Sequence, residues 1–240
     1  MNIESKIELA WTGERFIPGM QGSIRTEHLH RYLMAKDFVK EKTVLDIASG
    51  EGYGTAILGV SAHQAIGVDI SGECITYANE TYKNEKVRFL QGDCMAIPLP
   101  NTSIDVVVSF ETLEHITEQD AMMAEISRVL TKNGLLIIST PEKRIYADIP
   151  KHDNPFHMKE LYKAEFIQLI AKYFSNFQIF GQRVIQASLI TTINAQSSNK
   201  KLKQYNHEMN DSYGLEEPMY LICFATKGKL PTIHHSYFLE

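Results

Sequence analysis

From residue 43 onward, short β-rich runs alternate with helical ones: TVLDIA, a helix over 55–60, AIGVDI, a helix over 72–82, then VRFLQGD, IDVVVSF, the helix DAMMAEISRVL and GLLIIST. Parallel strands cannot be joined by a tight turn. They need a crossover that returns the chain to the same end of the sheet, and a helix between two strands supplies it. The alternation therefore predicts an α/β fold, a doubly wound and mainly parallel sheet with helices on both faces.

Beyond Pro141 a loop (EKRIYADIPKHDNPFH) leads to a helix over 159–173 and to the runs NFQIFGQRV and MYLICFATKG, which suit late strands of the same sheet as an antiparallel pair at its edge. Residues 188–218 are polar and poorly periodic, which predicts a loop, a lid or local disorder. Upstream, GERFIPGMQGS passes from a Gly/Pro-rich loop into a helix carrying Leu29, Leu33, Phe38 and Val39. At 240 residues and 44% apolar content the chain suits one domain, 1–240. Within it 1–40 form a cap segment, 43–141 a cofactor-binding core, and 142–240 the acceptor-side loops, a helix and the closing strands.

A formal net charge of -5 gives no general attraction to nucleic acid or anionic membrane, so a small molecule is the expected partner. Three cysteines (Cys74, Cys94, Cys223), an odd number without metal-type spacing, suit a reducing compartment, and the cytoplasm is the expected location. The opening MNIESKIELAWTGERF is too polar for a signal peptide, and no apolar run reaches the ~20 residues of a membrane span. The apolar residues of the tail SYFLE leave room for a homodimer.

In VLDIASGEGYG an apolar strand ends at the acid Asp46 and turns through Gly50 and Gly52 into a helix. Glycine is needed where φ is positive or where another group approaches the backbone closely, so this turn can admit a ligand against the main chain. A dinucleotide fingerprint counted from Gly50 and Gly52 would end on glycine or alanine, but here it ends on Thr55, which disfavours a nicotinamide cofactor.

The run instead resembles the first motif of class I S-adenosylmethionine (SAM)-dependent methyltransferases, an acid followed by G-x-G-x-G, with Ala48 at the first glycine and Gly50 and Gly52 at the others. The resemblance extends through AIGVDI, QGDCMAIP, SFETLEHI and RVLTKNGLLIIST, about residues 43–141. It implies a Rossmann-like seven-stranded sheet whose last strand is antiparallel, and SAM as cofactor. It also implies that Asp46, Asp69 and Ile70 lie along the cofactor, Asp69 meeting the ribose hydroxyls. Asp93, Cys94 and Met95 would lie around the adenine. Phe110, just after the fourth strand, is expected to wall the pocket.

Methyl transfer from a sulfonium is an in-line displacement, so positioning dominates, and a hydroxyl acceptor also needs a base. His115 in FETLEHI and His157 in NPFHMKEL both follow strands at the same end of the sheet, and either is a candidate, with His152 behind them as an acceptor contact. His28 and His30 are two apart on a helix and point to different faces, so no metal site is expected there, and the spacing of His152, Asp153 and His157 matches no metal family.

GERFIPG, EHLHRY and NPFHMKEL further resemble a bacterial methyltransferase subgroup associated with surface-polysaccharide clusters. That resemblance implies an N-terminal segment folded over the cofactor, with Tyr32 near its methionine end and Glu14 and Arg15 at the acceptor; the Arg15 guanidinium would suit an anion. The expected function is O-methylation of a small polar acceptor, sugar- or phosphate-linked. N-methylation of an amino sugar and a non-catalytic SAM-binding role are the alternatives.

Overall fold

The computed structural model describes residues 22–185, 203–205, 211–215 and 217–238. Helix α1 (Ser23–Lys36) precedes β1 (Thr43–Ile47), α2 (Tyr53–Gly59), β2 (Gln64–Asp69), α3 (Gly72–Thr81), β3 (Val87–Gln91) and β4 (Ile104–Phe110). Then come α4 (Gln119–Val129), β5 (Leu130–Pro141), α5 (Lys163–Tyr173), β6 (Asn176–Gln182), β7 (Lys203–Tyr205), β8 (Asp211–Tyr213) and β9 (Tyr220–Thr226). The main sheet has seven strands in the order β3-β2-β1-β4-β5-β9-β6. Strands β1 to β5 pair in parallel, as the alternation predicts, and their C-terminal ends share one edge of the sheet.

The two late strands form an antiparallel pair at the edge of the sheet, as expected, and the last strand is the inner member of that pair. It inserts between β5 and β6 and pairs antiparallel with both, Ile137↔Phe224 on one side and Gln178↔Phe224 on the other. The sequence Leu221–Ala225 is apolar throughout because β9 is interior, hydrogen-bonded on both sides and covered on both faces.

Two apolar layers enclose the sheet. Met122, Met123 and Ile126 of α4 and Phe166 and Ile170 of α5 fill one face. On the other face Tyr32, Leu58, Ile75 and Ala78 of α1 to α3 close over Val106 and Phe224. Each large aliphatic or aromatic side chain so enclosed contributes about 1.5–3 kcal/mol relative to exposure.

The described part of the tail touches its own chain, His30 Nε2 meeting Ser236 Oγ at 2.8 Å and the His30 ring facing Phe238. Two expectations need correction. Helix α5 begins at Lys163, not 159: the Glu165 carboxylate accepts the Tyr162 N–H and caps the first turn, leaving 159–162 as loop. Most of 188–218 lies outside the described residues, but β7 and β8 within it pair as a two-stranded antiparallel ribbon. Among the described residues no helix is long and apolar enough to cross a membrane.

Candidate active site

The turn after β1 is held open by its backbone. Ala48, Gly50 and Gly52 all take positive φ, at 60°, 52° and 87°. A Cβ on Gly52 would stand 2.5 Å from the Phe89 ring, so glycine is obligatory there, whereas one on Gly50 would meet nothing within 4 Å. Gly50 therefore faces open space, the side from which a ligand reaches the main chain.

Asp69, at the end of β2, accepts the Gly50 N–H on Oδ2 and the Ser71 N–H on Oδ1, both at 2.8 Å. A carboxylate has about four lone-pair positions, so each oxygen retains one for a ribose hydroxyl. One strand further along, Asp93 accepts the Met95 N–H, and Cys94 and Met95 pack against the core. Burial pushes the Cys94 thiol up to about 11, so it serves as an apolar wall. Ile70 is 72% exposed on the rim. This row of partly exposed acceptors beside an open glycine fits a nucleoside, which Gly50, Asp69 and Asp93 would hold.

Asp46 is 1% exposed and accepts Thr55 Oγ1–H at 2.7 Å and the Tyr32 hydroxyl at 3.2 Å, so it braces the turn from beneath. Burial pushes its carboxyl up to about 7. Thr55, where a dinucleotide fold would have glycine or alanine, supplies that brace. The Tyr32 hydroxyl is likewise committed to Asp46, and only its ring reaches the cleft, edge-on to Phe110 at 5.0 Å.

Beside the turn, a cleft of about 240 Å³ is bounded by residues that include Ala48, Phe110, Glu111, Tyr146 and Tyr220. His115 and His157 meet here, rings 5.1 Å apart and nearly perpendicular. The loops that carry them are stitched together: Met158 and Lys159 donate their N–H groups to the Glu114 carbonyl, and the Gln119 amide bridges the carbonyls of Leu113 and Lys159. His115 Nδ1 lies 3.1 Å from the Phe156 carbonyl and His157 Nδ1 2.6 Å from Glu160 Oε1. Both partners are acceptors, so both Nδ1 atoms carry the proton; in the neutral rings each Nε2 then carries the lone pair. Tyr146, in a π-type turn (Arg144–Asp148), stacks on His157 at 5.2 Å.

Acid lines this end of the cleft. Glu114 is 1% exposed and accepts from Thr140 Oγ1, and burial with Glu111 nearby pushes its carboxyl well up. Glu111 has a positive φ of 52° and is paired with Arg31. Burial pushes the His28 imidazole down to about 3, and its Nδ1 meets the Tyr53 hydroxyl at 2.8 Å. His28 and His30 diverge, as their spacing predicts.

His152 is not in the cleft wall; it is exposed and sits edge-on to the outer part of Tyr146. Glu14 and Arg15 lie outside the described residues. Sequence reasoning missed Arg31 and Tyr146, whereas the position of Glu111 just after the fourth strand, where ligands of open α/β sheets collect, pointed to it.

Residues 45–138 match a family of methyltransferase domains. Over 167 residues the chain is 33% identical to a probable S-adenosylmethionine-dependent methyltransferase of Mycolicibacterium smegmatis (68% of this chain, 63% of that protein). It is 34% identical to a namesake in Mycobacterium tuberculosis (68% and 60%). The chain thus spans about three fifths of the length of these curated relatives. The YcgJ protein of Bacillus subtilis shares the fold, with a TM-score of 0.60 at 17% identity, over 84% of this chain and 100% of that one. The matched segment holds the glycine turn, Asp69, Asp93 and the E-x-x-E-H motif, and the chain belongs to the S-adenosylmethionine-dependent methyltransferase family.

Proposed function

We propose that the protein transfers the methyl group of SAM to a hydroxyl oxygen of a small polar acceptor, of the sugar- or phosphate-linked kind used in surface-polysaccharide synthesis. The observation that carries the reading is the pair of imidazoles whose Nδ1 protons are committed to Phe156 O and Glu160, leaving two lone-pair nitrogens beside the glycine turn. When bound, SAM supplies an electrophilic methyl: the O–CH3 bond forms, the S–C electron pair returns to sulfur, and the acceptor gives up its proton. Gly50, Asp69 and Asp93 hold the nucleoside, while Phe110 and the Tyr32 ring exclude water from one wall. His115 or His157 takes the hydroxyl proton, a contribution of roughly 10²–10⁴ in rate.

The acidic lining favours a second reading, N-methylation of an amino sugar, because Glu111 and Glu114 would attract an ammonium group. An assay of SAM consumption against sugar hydroxyl and amino-sugar acceptors, with mass spectrometry and NMR of the product, tests both. An O-methyl product whose formation falls at least about 100-fold in the His115→Gln/His157→Gln double variant supports the first. An N-methyl product, or near-normal transfer by the double variant, removes it.

A further inference from the structure

We propose that Glu114, His115 and His157 form a binding site for one divalent transition-metal cation, and that the acceptor hydroxyl is held on that cation; the second half rests on the O-methylation reading above. One ligand atom from each residue lies within 4.8 Å of the others, and His115 Nε2 is 3.9 Å from Glu114 Oε1. Ligands around one ion, at bonds of about 2.0–2.2 Å, stand roughly 3–3.4 Å apart, so closure needs only side-chain rotations of about an ångström.

An independent observation points to the same use. Imidazoles that bind metal through one nitrogen donate from the other to a carboxylate or a backbone carbonyl, which sets the tautomer and the ring plane. Both arrangements are present: His157 donates to Glu160, and His115 donates to the Phe156 carbonyl. Neither the Glu160 pair nor the stacked Tyr146 ring is exposed, with side-chain exposures of 6% for His157 and 9% for Glu160.

The donor set of two nitrogens and one carboxylate oxygen selects Mn²⁺, Fe²⁺, Co²⁺ or Zn²⁺ over Mg²⁺ or Ca²⁺, which prefer all-oxygen sites. Three protein ligands leave positions open for an exogenous oxygen. With both imidazoles engaged as ligands the cation replaces them in removing the hydroxyl proton: it lowers the pKa of the bound hydroxyl, so the proton leaves to water and the oxygen is presented to the methyl as an alkoxide. Arg31, whose charge would oppose a cation, is neutralised by its 2.7 Å pairing with Glu111 of the same cleft. The sequence conceals the site because its ligands come from two loops, at 114–115 and at 157.

The test is a Mn²⁺ titration of chelator-stripped full-length protein, followed by electron paramagnetic resonance of the free ion and by NMR of the histidine ring protons. The expected result is one saturable site tighter than about 100 µM, with substoichiometric Mn²⁺ broadening the His115 and His157 signals and sparing His63 at the opposite end of the sheet. Glu160→Gln, which removes only the hydrogen-bond acceptor of His157, should weaken binding about tenfold, and Glu114→Gln by more. No saturable binding up to about 1 mM, or binding that leaves both ring signals sharp, overturns the site, and the unaltered protein alone decides this if the variants fail to fold. Transfer is assayed separately. O-methylation that survives exhaustive chelation overturns the cation's role while sparing the O-methylation reading; a bound cation without any O-methyl product keeps the site and removes that reading.

Discussion

Arg31 Nη1 lies 2.7 Å from Glu111 Oε1, an ion pair that ties helix α1 to the end of β4 with the arginine 1% exposed. The same guanidinium donates to Ser139 Oγ and the Glu27 carbonyl and lies 4.7 Å over the Tyr220 ring. Removing one partner of a buried pair strands the other charge, whereas removing both does not. Arg31→Met should therefore cost about 3 kcal/mol in urea denaturation, and the Arg31→Met/Glu111→Gln double variant should recover at least half of that loss. Additive losses would show that the two side chains act independently.

Ala48 stands at φ 60°, where a Cβ crowds the following carbonyl and costs about 1–2 kcal/mol. Glycine removes that strain and gives back part of the gain through the looser unfolded chain. Ala48→Gly should raise stability by about 0.5–1 kcal/mol and Tm by roughly 2 °C. A lower Tm would mean that the methyl packs favourably at the cleft wall.

Asp46 gives stability a pH dependence of definite sign. Its folded pKa of about 7 lies above the ordinary aspartate value of 3.8, so the folded state holds the proton more tightly. The stabilisation is complete below the unfolded pKa and is lost as pH rises through 7, by about 4 kcal/mol at most. Stability measured by urea from pH 7 down to pH 4 should rise relative to Asp46→Asn, which cannot titrate. Parallel profiles for the two proteins would refute the assignment.

Asp69→Ala removes the carboxylate that anchors Gly50 N–H and that we propose holds the ribose. Calorimetry should show SAM and S-adenosylhomocysteine binding weakened at least about 100-fold, the loss of two charge-assisted hydrogen bonds. Unchanged affinity would move the ribose elsewhere along the strand ends.

The parallel half of the sheet was readable because each strand and each crossover helix leaves a local mark, and the turn at 48–52 was readable because positive φ favours glycine. Long-range placement leaves no such mark. That β9 lies inside β6 follows from packing, not from the run MYLICFATKG itself. Arg31 reads as an ordinary surface cation of a polar helix until Glu111 is seen across from it. His115 and His157 are named by their loops, but their contact depends on the Glu114 carbonyl accepting two N–H groups from the 158–159 loop. Nothing local in the sequence shows that Thr55 and Tyr32 close over Asp46, because Tyr32 comes from a helix that packs there only in the fold.

The insertion of β9 between β5 and β6 sets an order on folding during synthesis. Strands β1 to β5 can assemble as soon as residue 141 has emerged, but among the described residues β6 hydrogen-bonds within the sheet only to β9. Until residues 220–226 leave the ribosome, β5 is an unpaired apolar edge and β6 has no seat, so nascent chains are open to strand-to-strand association over this interval. Truncations ending between β6 and β9 should aggregate, and shielding by chaperones matters most over that interval.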